Sequence, residues 1–180
     1  MEFNDVVKNR RSIRAFDNRR VSINTIFKII EDGLLAPRSG NVQDWYVVIV
    51  QNKAVKFSIA EACIGQYWIT QAPFILVVCS KPSKTKISYG KRGEFYAIQN
   101  GSAAIENMLL SIENEGLGSC WIGAFEEEAL KRIIRAPEGT KILAVLPVGY
   151  PLENPPMPKR PDLRNIIYFE KYGEKELKKV

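Results

Sequence analysis

One long helical pattern in the second half of the chain constrains the fold more than any other feature. Apolar or small residues recur there at intervals of three and four, as on one face of an α-helix: Ile98, Gly101, Ala104, Ile105, Met108, Leu109 and Ile112. The run 101–104 contains only small residues, which permit close backbone approach, and Gly116 can end the helix. We therefore predict a central helix packed against the rest of the molecule.

Continuous apolar runs predict the strands. Trp45 to Val50 and Phe74 to Cys79 are rich in β-branched and aromatic residues and show no polar alternation, which is typical of strands covered on both faces. Shorter runs predict further strands at Cys120 to Gly123, Ile142 to Val148 and Ile166 to Phe169.

Four shorter helices complete the expected elements. We predict them at residues 3–10, from a cap at Ser22 to Pro37, at 53–64, and from Glu126 to Ile134. No glycine-rich turn follows the first strand, so an α+β layered domain is favoured over a dinucleotide-binding fold. The prolines between Pro151 and Pro161 predict an extended surface strap and not a linker, so we expect a single domain over residues 1–180, with strap and tail at about 151–180.

Composition removes several kinds of chemistry. The chain has no histidine, which excludes Ser-His-Asp and Cys-His catalysis and His-ligated zinc. Cys63, Cys79 and Cys120 form no CxxC pair, so we expect neither a disulfide framework nor a metal site. The acidic start shows no signal peptide and the apolar runs are too short for a membrane helix, so a cytoplasmic protein is expected.

The formal net charge of +6 leaves two alternatives for an anionic partner. Residues 81–92 hold five basic residues and no acid, which would fit nucleic acid, but a solvated surface loop is the preferred interpretation. The cluster from Arg10 to Arg14 is denser and looks more like a pocket for a small phosphate. We therefore do not expect a nucleic-acid partner.

Four polar clusters interrupt the apolar frame, and together they resemble the FMN-dependent nitroreductase family. Arg10-Arg11-Ser12-Ile13-Arg14-Ala15-Phe16 matches its opening basic motif, and residues 36–45 (APRSGNVQDW) resemble its Ala-Pro-Ser-Ser-x-Asn-x-Gln-Pro-Trp signature. Residues 116–123 (GLGSCWIG) are similar to its Gly-x-Gly-x-x-Trp stretch. Pro158-Lys159-Arg160-Pro161 occupies the place of its carboxy-terminal basic motif. The order and spacing hold over about residues 5–170.

The resemblance implies a fold and an assembly. The fold is a three-layer sandwich whose central mixed, mostly antiparallel sheet is flanked by helices, with a carboxy-terminal extension onto the partner subunit. The assembly is a homodimer with FMN at the interface, so the Pro37 to Asn41 loop would contact a flavin held mainly by the other subunit.

The resemblance also implies a set of cofactor-binding residues: Arg10, Arg11, Ser12, Arg14, Pro37, Arg38, Ser39, Asn41, Gln66, Gly116, Leu117, Gly118, Lys159 and Arg160. Arg10, Ser12, Lys159 and Arg160 supply cations and a hydroxyl suited to a phosphate dianion. The counterpart of Arg14 contacts the pyrimidine side of the ring, where a cation stabilises the charge gained on reduction. Amides of 116–118 would lie near flavin N5 and O4. No side chain is assigned as an acid or base, because hydride chemistry belongs to the cofactor.

Three positions depart from the family pattern. Arg38 replaces the first serine and Asp44 the proline of the signature, which changes loop geometry and charge. Gly65 stands where some members have an asparagine, and Gln66 is a possible substitute for the lost polar contact. Trp45, Trp121 and Cys120 are interpreted as core residues.

The resulting functional hypothesis is an FMN-dependent oxidoreductase. It takes hydride from NADH or NADPH and passes electrons, by a ping-pong mechanism, to a small-molecule acceptor such as a nitroaromatic or a quinone. One alternative keeps the fold for another flavin-dependent reduction, of the dehalogenation or biosynthetic type. The other alternative is a flavin- or nucleic-acid-binding protein without turnover.

Overall fold

The computed structural model describes residues 1–176. Within that part of the chain, no helix combines the length and the apolar composition that crossing a membrane requires. The predicted single domain includes residues 177–180, which lie outside the described residues.

A four-stranded antiparallel sheet forms the centre of the molecule. Its strands are β1 (Trp45–Val50), β2 (Phe74–Ser80), β3 (Gly118–Ser119) and β4 (Lys141–Gly149), in the order β1-β2-β4-β3. Every residue of β2 is buried, as its unbroken apolar run predicts. A bridge between Ser12 and Ser119 adds one parallel contact at the β3 edge.

Over residues 1–176, six α-helices surround the sheet: α1 (Phe3–Asn9), α2 (Ile23–Leu34), α3 (Lys53–Ala62), α4 (Ser83–Tyr89), α5 (Gly93–Asn114) and α6 (Glu127–Ile134). The predicted Ser22 cap of α2 is confirmed, since its side chain accepts a hydrogen bond from the Asn24 N–H. The central helix is α5, and it ends as expected at Gly116. There the N–H groups of Gly116 and Leu117 donate to Glu113 O (2.9 Å) and Ile112 O (3.0 Å), with Gly116 at φ +69°.

Two apolar clusters lie on opposite faces of the sheet and make three layers. On one face, Ile26 of α2 and Ile105 and Met108 of α5 pack against Leu76. On the other face, helices α3 and α6 cover alternate residues of the same strands, through Ile59, Leu130, Val77 and Val145. The predicted α+β three-layer sandwich is therefore confirmed.

Two strand predictions differ from the structure. Residues 166–169 form a turn and irregular backbone, because the segment lies on the surface with Ile166 64% exposed and has no neighbouring strand. The strand expected at Cys120 to Gly123 begins and ends earlier, at Gly118–Ser119, and continues only as an Ile122–Val145 bridge. The apolar residues of this segment indicated a strand, but its bounds are set by the pairing of Gly118 with Gly149 and of Ser119 with Val148.

Burial differs from expectation at two further places. The predicted cover of β1 on both faces is wrong. Tyr46 is 42% exposed, because the apolar cluster on its face of the sheet includes Val48 and Val50 but does not reach Tyr46. Trp121 is 38% exposed and does not belong to the core, whereas Trp45 and Cys120 are buried as predicted.

Residues 81–92 are not a loop. They form α4 and a 3-10 turn, because Thr85 is buried and its hydroxyl donates to the buried Asp44. Several of the cations here have partners: Lys86 pairs with Glu94 at 2.7 Å, and Arg92 and Lys84 lie over the rings of Tyr96 and Tyr46. The segment is thus part of the folded frame, which weakens the case for a nucleic-acid-binding loop.

Candidate functional site

The segment 10–14 is anchored to the sheet by its central residue. Ile13 is 5% exposed, and its N–H donates to Ser119 O at 2.9 Å. Gly118 packs directly on it, since a Cβ at that glycine would lie 2.7 Å from Ile13 Cγ1. With Ile13 held inward, its neighbours Ser12 and Arg14 are left on the other side of an extended backbone.

The proline-rich strap crosses this segment. The Asp17 and Leu152 N–H groups donate to Tyr150 O (2.8 Å) and Ala15 O (3.0 Å), and the Arg14 N–H donates to Glu153 Oε1 at 2.5 Å. These bonds hold the start of the strap beside residues 14–17, and residues 152–161 are mostly exposed and form neither helix nor strand. Glu153 was not found by sequence reasoning, because nothing in its local pattern indicates which segment it meets.

The two segments enclose a cavity of about 450 Å³, which we call the arginine cleft; it is lined by Arg10, Arg11, Ser12, Arg14, Pro155, Pro156, Pro158 and Arg160. No carboxylate lines it. Lys159 is exposed and is not among the lining residues, so of the two candidate cations in the strap, Arg160 faces the cleft. Guanidinium groups around a hydroxyl are the donor set that suits a phosphate dianion.

The arginines of the cleft differ in how they are held. Arg11 Nη1 donates to Lys8 O (2.7 Å) and Arg10 O (2.8 Å), so that side chain binds carbonyls at the end of α1. Its buried Nε has no partner among residues 1–176. Over the same residues, the side chains of Arg10, Arg14 and Arg160 make no hydrogen bond or ion pair.

Glu113 of α5 lies close enough to Arg10 and Arg11 for their charges to act on its carboxyl group. Burial raises its pKa above the ordinary glutamate value, while the charges of Arg10 and Arg11 act in the opposite direction. Burial is the larger of the two effects, so the charged form of Glu113 is disfavoured relative to an exposed glutamate.

Residues 36–45, which we call the Asp44 loop, are attached to helices α4 and α5 by buried hydrogen bonds. Asp44 is completely buried, and its Oδ2 accepts hydrogen bonds from the Thr85 hydroxyl and from Asn100 Nδ2 (3.0 Å). Asn100 Oδ1 in turn accepts the Ser39 N–H at 2.8 Å. The substituted Asp44 therefore ties the loop to α4 and α5 and does not add charge to the surface.

The outer part of the Asp44 loop is closed on itself. Arg38 donates to Asn41 Oδ1 (2.8 Å) and to Gln43 Oε1, while Pro37 and Asn41 are exposed. Within one subunit the structure does not bring Pro37, Arg38, Ser39 or Asn41 into the arginine cleft. Asn100 was missed from the sequence, although a polar residue on the buried side of an apolar helix was a usable signal.

The remaining predicted residues lie at the sheet edge. Gly116 is exposed with open space around it, Leu117 is a core residue at 3% exposure, and Gly118 is covered by Ile13. Within the subunit, these residues form a turn and pack against the core. That their backbone amides lie near flavin N5 and O4 stays a prediction. Gln66 Nε2 donates to Cys63 O (2.9 Å), which fixes its side chain outside the arginine cleft.

Two of the three thiols, those of Cys63 and Cys79, are not suited to act as reactive centres. Burial raises the pKa of Cys63 to about 12 and that of Cys79 to about 11, which keeps both protonated and unreactive at neutral pH. Among residues 1–176, no three Cys, Asp or Glu side chains are grouped closely enough to hold a metal ion.

Fold and cleft together define a class: an α+β sandwich with a cationic surface cleft suited to a small phosphorylated ligand. The nitroreductase family model matches residues 7–70 and 60–150, which is most of the chain. The chain therefore belongs to the nitroreductase family.

Individual relatives agree with that membership. A provisionally named NADH dehydrogenase/NAD(P)H nitroreductase of Archaeoglobus fulgidus is 33% identical over 81% of this chain and 83% of its own. An FMN reductase [NAD(P)H] of Bacillus subtilis is 31% identical over 83% of this chain and 67% of its own. The crystal structure of a nitroreductase family protein from Clostridium novyi superposes with a TM-score of 0.79, at 27% identity, over 97% of this chain and 96% of its own.

Proposed function

We propose that the protein is an FMN-dependent oxidoreductase that takes electrons from NADH or NADPH. Membership of the nitroreductase family supports this class, and the relatives named for NAD(P)H and FMN support the donor and the cofactor. The observation that carries the proposal is the arginine cleft, a cavity lined by guanidinium groups and a hydroxyl with no lining acid.

The residues present fit FMN. The buried, unpartnered Arg11 Nε and the free guanidinium groups of Arg10, Arg14 and Arg160 leave more donors than the protein itself uses. A phosphate dianion would satisfy them, and each such charged hydrogen bond contributes about 1.5 to 3 kcal/mol. When bound, FMN would supply the hydride-accepting centre that the chain's own side chains lack.

The residues of the cleft would have two different roles toward FMN. Arg10, Ser12 and Arg160 would bind the phosphate, and Arg14 would provide a fixed cation beside the pyrimidine side of the ring. A cation there stabilises negative charge that develops on reduction, without transferring a proton. Pro37, Arg38, Ser39 and Asn41 lie outside the cleft of their own subunit, which supports a role for the Asp44 loop at the partner's flavin.

A homodimer forms part of the proposal. Large apolar side chains stay exposed along the outer faces of the helices: Phe95 (55%) and Ile98 (45%) on α5, Phe3 (71%) on α1 and Phe27 (49%) on α2. Exposed apolar surface that is shared among several helices is typical of an interaction site. A second copy would cover it and bring the Asp44 loop to the other cleft.

We further propose that donor and acceptor use one site in turn, in a ping-pong order, and that the acceptor is a nitroaromatic, a quinone or a related small molecule. A cytoplasmic location is part of the same proposal. Other flavin-dependent reductions on this fold remain the alternative to this acceptor class.

The decisive experiment is a visible spectrum of the purified protein, recorded anaerobically before and after addition of each nicotinamide. We expect flavin absorption that bleaches with NADH, NADPH or both. A protein that is colourless and does not take up added FMN would overturn the proposal.

A further inference from the structure

A second cavity, of about 650 Å³, lies between the segment that follows the arginine cleft, the start of α3 and the 3-10 turn Tyr67–Gln71. Its lining residues are Asn18, Arg20, Lys53, Lys56, Phe57, Thr70, Gln71 and Pro73. None of them lines the arginine cleft. The volume falls within the range of small-molecule sites.

Lys56 is a buried cation without a counter-ion. It is 7% exposed, and its Nζ donates to Thr70 O (3.0 Å) and Ala72 O (2.6 Å), which uses two of its three N–H groups. No carboxylate oxygen among residues 1–176 lies within 4 Å of this nitrogen. A buried ammonium that lacks an anion is costly, and burial together with the charge of Lys53 lowers the pKa of Lys56.

Two further cations line the same cavity. Arg20 and Lys53 are exposed, and over the described residues their side chains form no ion pair or hydrogen bond. Three like charges around one cavity repel one another, and a bound anion would remove that repulsion.

Polar and aromatic groups complete the cavity. Gln71 Oε1 accepts the Phe16 N–H at 3.2 Å, while the Gln71 amide N–H₂ donates to no group among residues 1–176 and can donate to a ligand. Phe57, stacked on Tyr67 with ring centroids 5.3 Å apart, forms an apolar wall. Donors and cations beside an aromatic face suit a phosphate attached to an apolar or planar group.

We propose that this cavity binds the phosphate group of a small organic phosphate monoester, at a site separate from the arginine cleft. Arg20, Lys53 and Lys56 neutralise the dianion, and Phe57 contacts the organic group. This goes beyond the proposed oxidoreductase activity and does not depend on it.

The test is isothermal titration calorimetry of the protein with FMN bound, in low-salt chloride buffer, using phenyl phosphate and inorganic phosphate as probes. We expect one saturable site per subunit, with phenyl phosphate bound several-fold more tightly. The double variant Arg20→Gln/Lys53→Gln should weaken phenyl phosphate binding at least tenfold, as expected for loss of charged hydrogen bonds.

A matched control removes the same charge elsewhere. Lys91→Gln/Lys171→Gln changes two exposed lysines outside the cavity and should leave the affinity within twofold. Equal weakening in both double variants, or no saturable binding to the unmodified protein, would overturn the proposal. Equal affinity for the two probes would overturn the assignment of an organic ester.

The Arg20 and Lys53 variants carry the conclusion, because Lys56 also donates to Thr70 O and so holds the Tyr67–Gln71 turn. Arg160→Ala separates the two sites: it should weaken FMN binding and leave phenyl phosphate binding unchanged. If the protein proves not to bind FMN, the oxidoreductase proposal fails, while the comparison of the two double variants still decides this one.

Discussion

The arginine cleft and the Asp44 loop are both rich in polar residues, but they differ in whether those residues are paired within the subunit. In the cleft, the guanidinium groups of Arg10, Arg14 and Arg160 have no partner within the described chain. In the loop, Arg38 and Ser39 form hydrogen bonds within the subunit. Asp44 accepts hydrogen bonds from Thr85 and Asn100.

Unpaired and paired side chains therefore have different expected roles: the first bind a ligand, and the second stabilise the fold. Unpaired cations are available to a ligand, so changing them should alter cofactor affinity and leave folding nearly intact. Paired buried groups stabilise the fold, so changing them should lower stability first.

The largest effect on stability is expected from Asp44→Ala. The change leaves the Thr85 hydroxyl and the Asn100 amide without their buried acceptor, at a cost of about 2 to 4 kcal/mol in the free energy of unfolding. Urea unfolding of the apoprotein measures it. Asp162→Ala is the control, because among residues 1–176 that exposed aspartate contacts only the side chain and backbone N–H of Arg164, and it should give a much smaller change. Equal stability of the two variants would show that the loop is not held by Asp44.

Gly118→Ala should damage the cleft through the backbone. A Cβ there would meet Ile13 Cγ1 at 2.7 Å and Ile13 Cβ at 2.9 Å, so segment 10–14 must move. We expect a loss of about 1 to 3 kcal/mol in stability together with weaker FMN binding. Gly123→Ala has open space around the new methyl group and should be neutral in both measurements. A Gly118→Ala protein with normal FMN affinity would contradict the anchoring role of Ile13.

Arg160→Ala should have the opposite effect to Asp44→Ala, because it should weaken FMN binding without lowering stability. We expect a ten- to hundredfold loss of FMN affinity in a fluorescence titration, with unchanged urea unfolding of the apoprotein. Lys159→Ala removes the adjacent cation, which does not line the cleft, and should have a smaller effect. A larger effect at Lys159 would move the phosphate away from the observed cavity.

Arg14→Met should have the smallest effect on binding but a specific effect on the redox couple. If Arg14 stabilises the reduced state by about 1.5 to 3 kcal/mol, the two-electron potential should fall by roughly 30 to 65 mV. Redox-dye titration of the two proteins gives the answer. An unchanged potential with lost FMN would place Arg14 at the phosphate instead.

Much of the fold could be predicted because local pattern and burial agree. The stripe of α5 is buried from Gly101 to Ile112 as its periodicity predicts, although Ile98 is exposed. Strand β2 lies where its continuous β-branched and aromatic run predicts it. The wrong predictions concern positions whose structure depends on residues far away in the sequence. Tyr46 is exposed because the apolar cluster on its face of the sheet ends at Val48, and residues 166–169 stay irregular because no strand of the described chain lies beside them.

The candidate site was predictable in residue type but not in arrangement. Segment 10–14 and Arg160 could be named from charge and motif, yet only the bonds of Ala15, Asp17 and Arg14 to the strap show that the two meet. Glu153 and Asn100 act through contacts 139 and 61 residues away along the chain, to Arg14 and Ser39, which no local pattern encodes.

The central claim, that the arginine cleft binds the FMN phosphate, is tested most directly by titrating the apoprotein with FMN and with riboflavin, which lacks the phosphate. The account predicts that FMN binds at least a hundredfold more tightly, through two or more charged hydrogen bonds, and that this preference largely disappears in Arg10→Ala/Arg160→Ala. Equal affinity for the two flavins, or a preference that survives the double substitution, would contradict it.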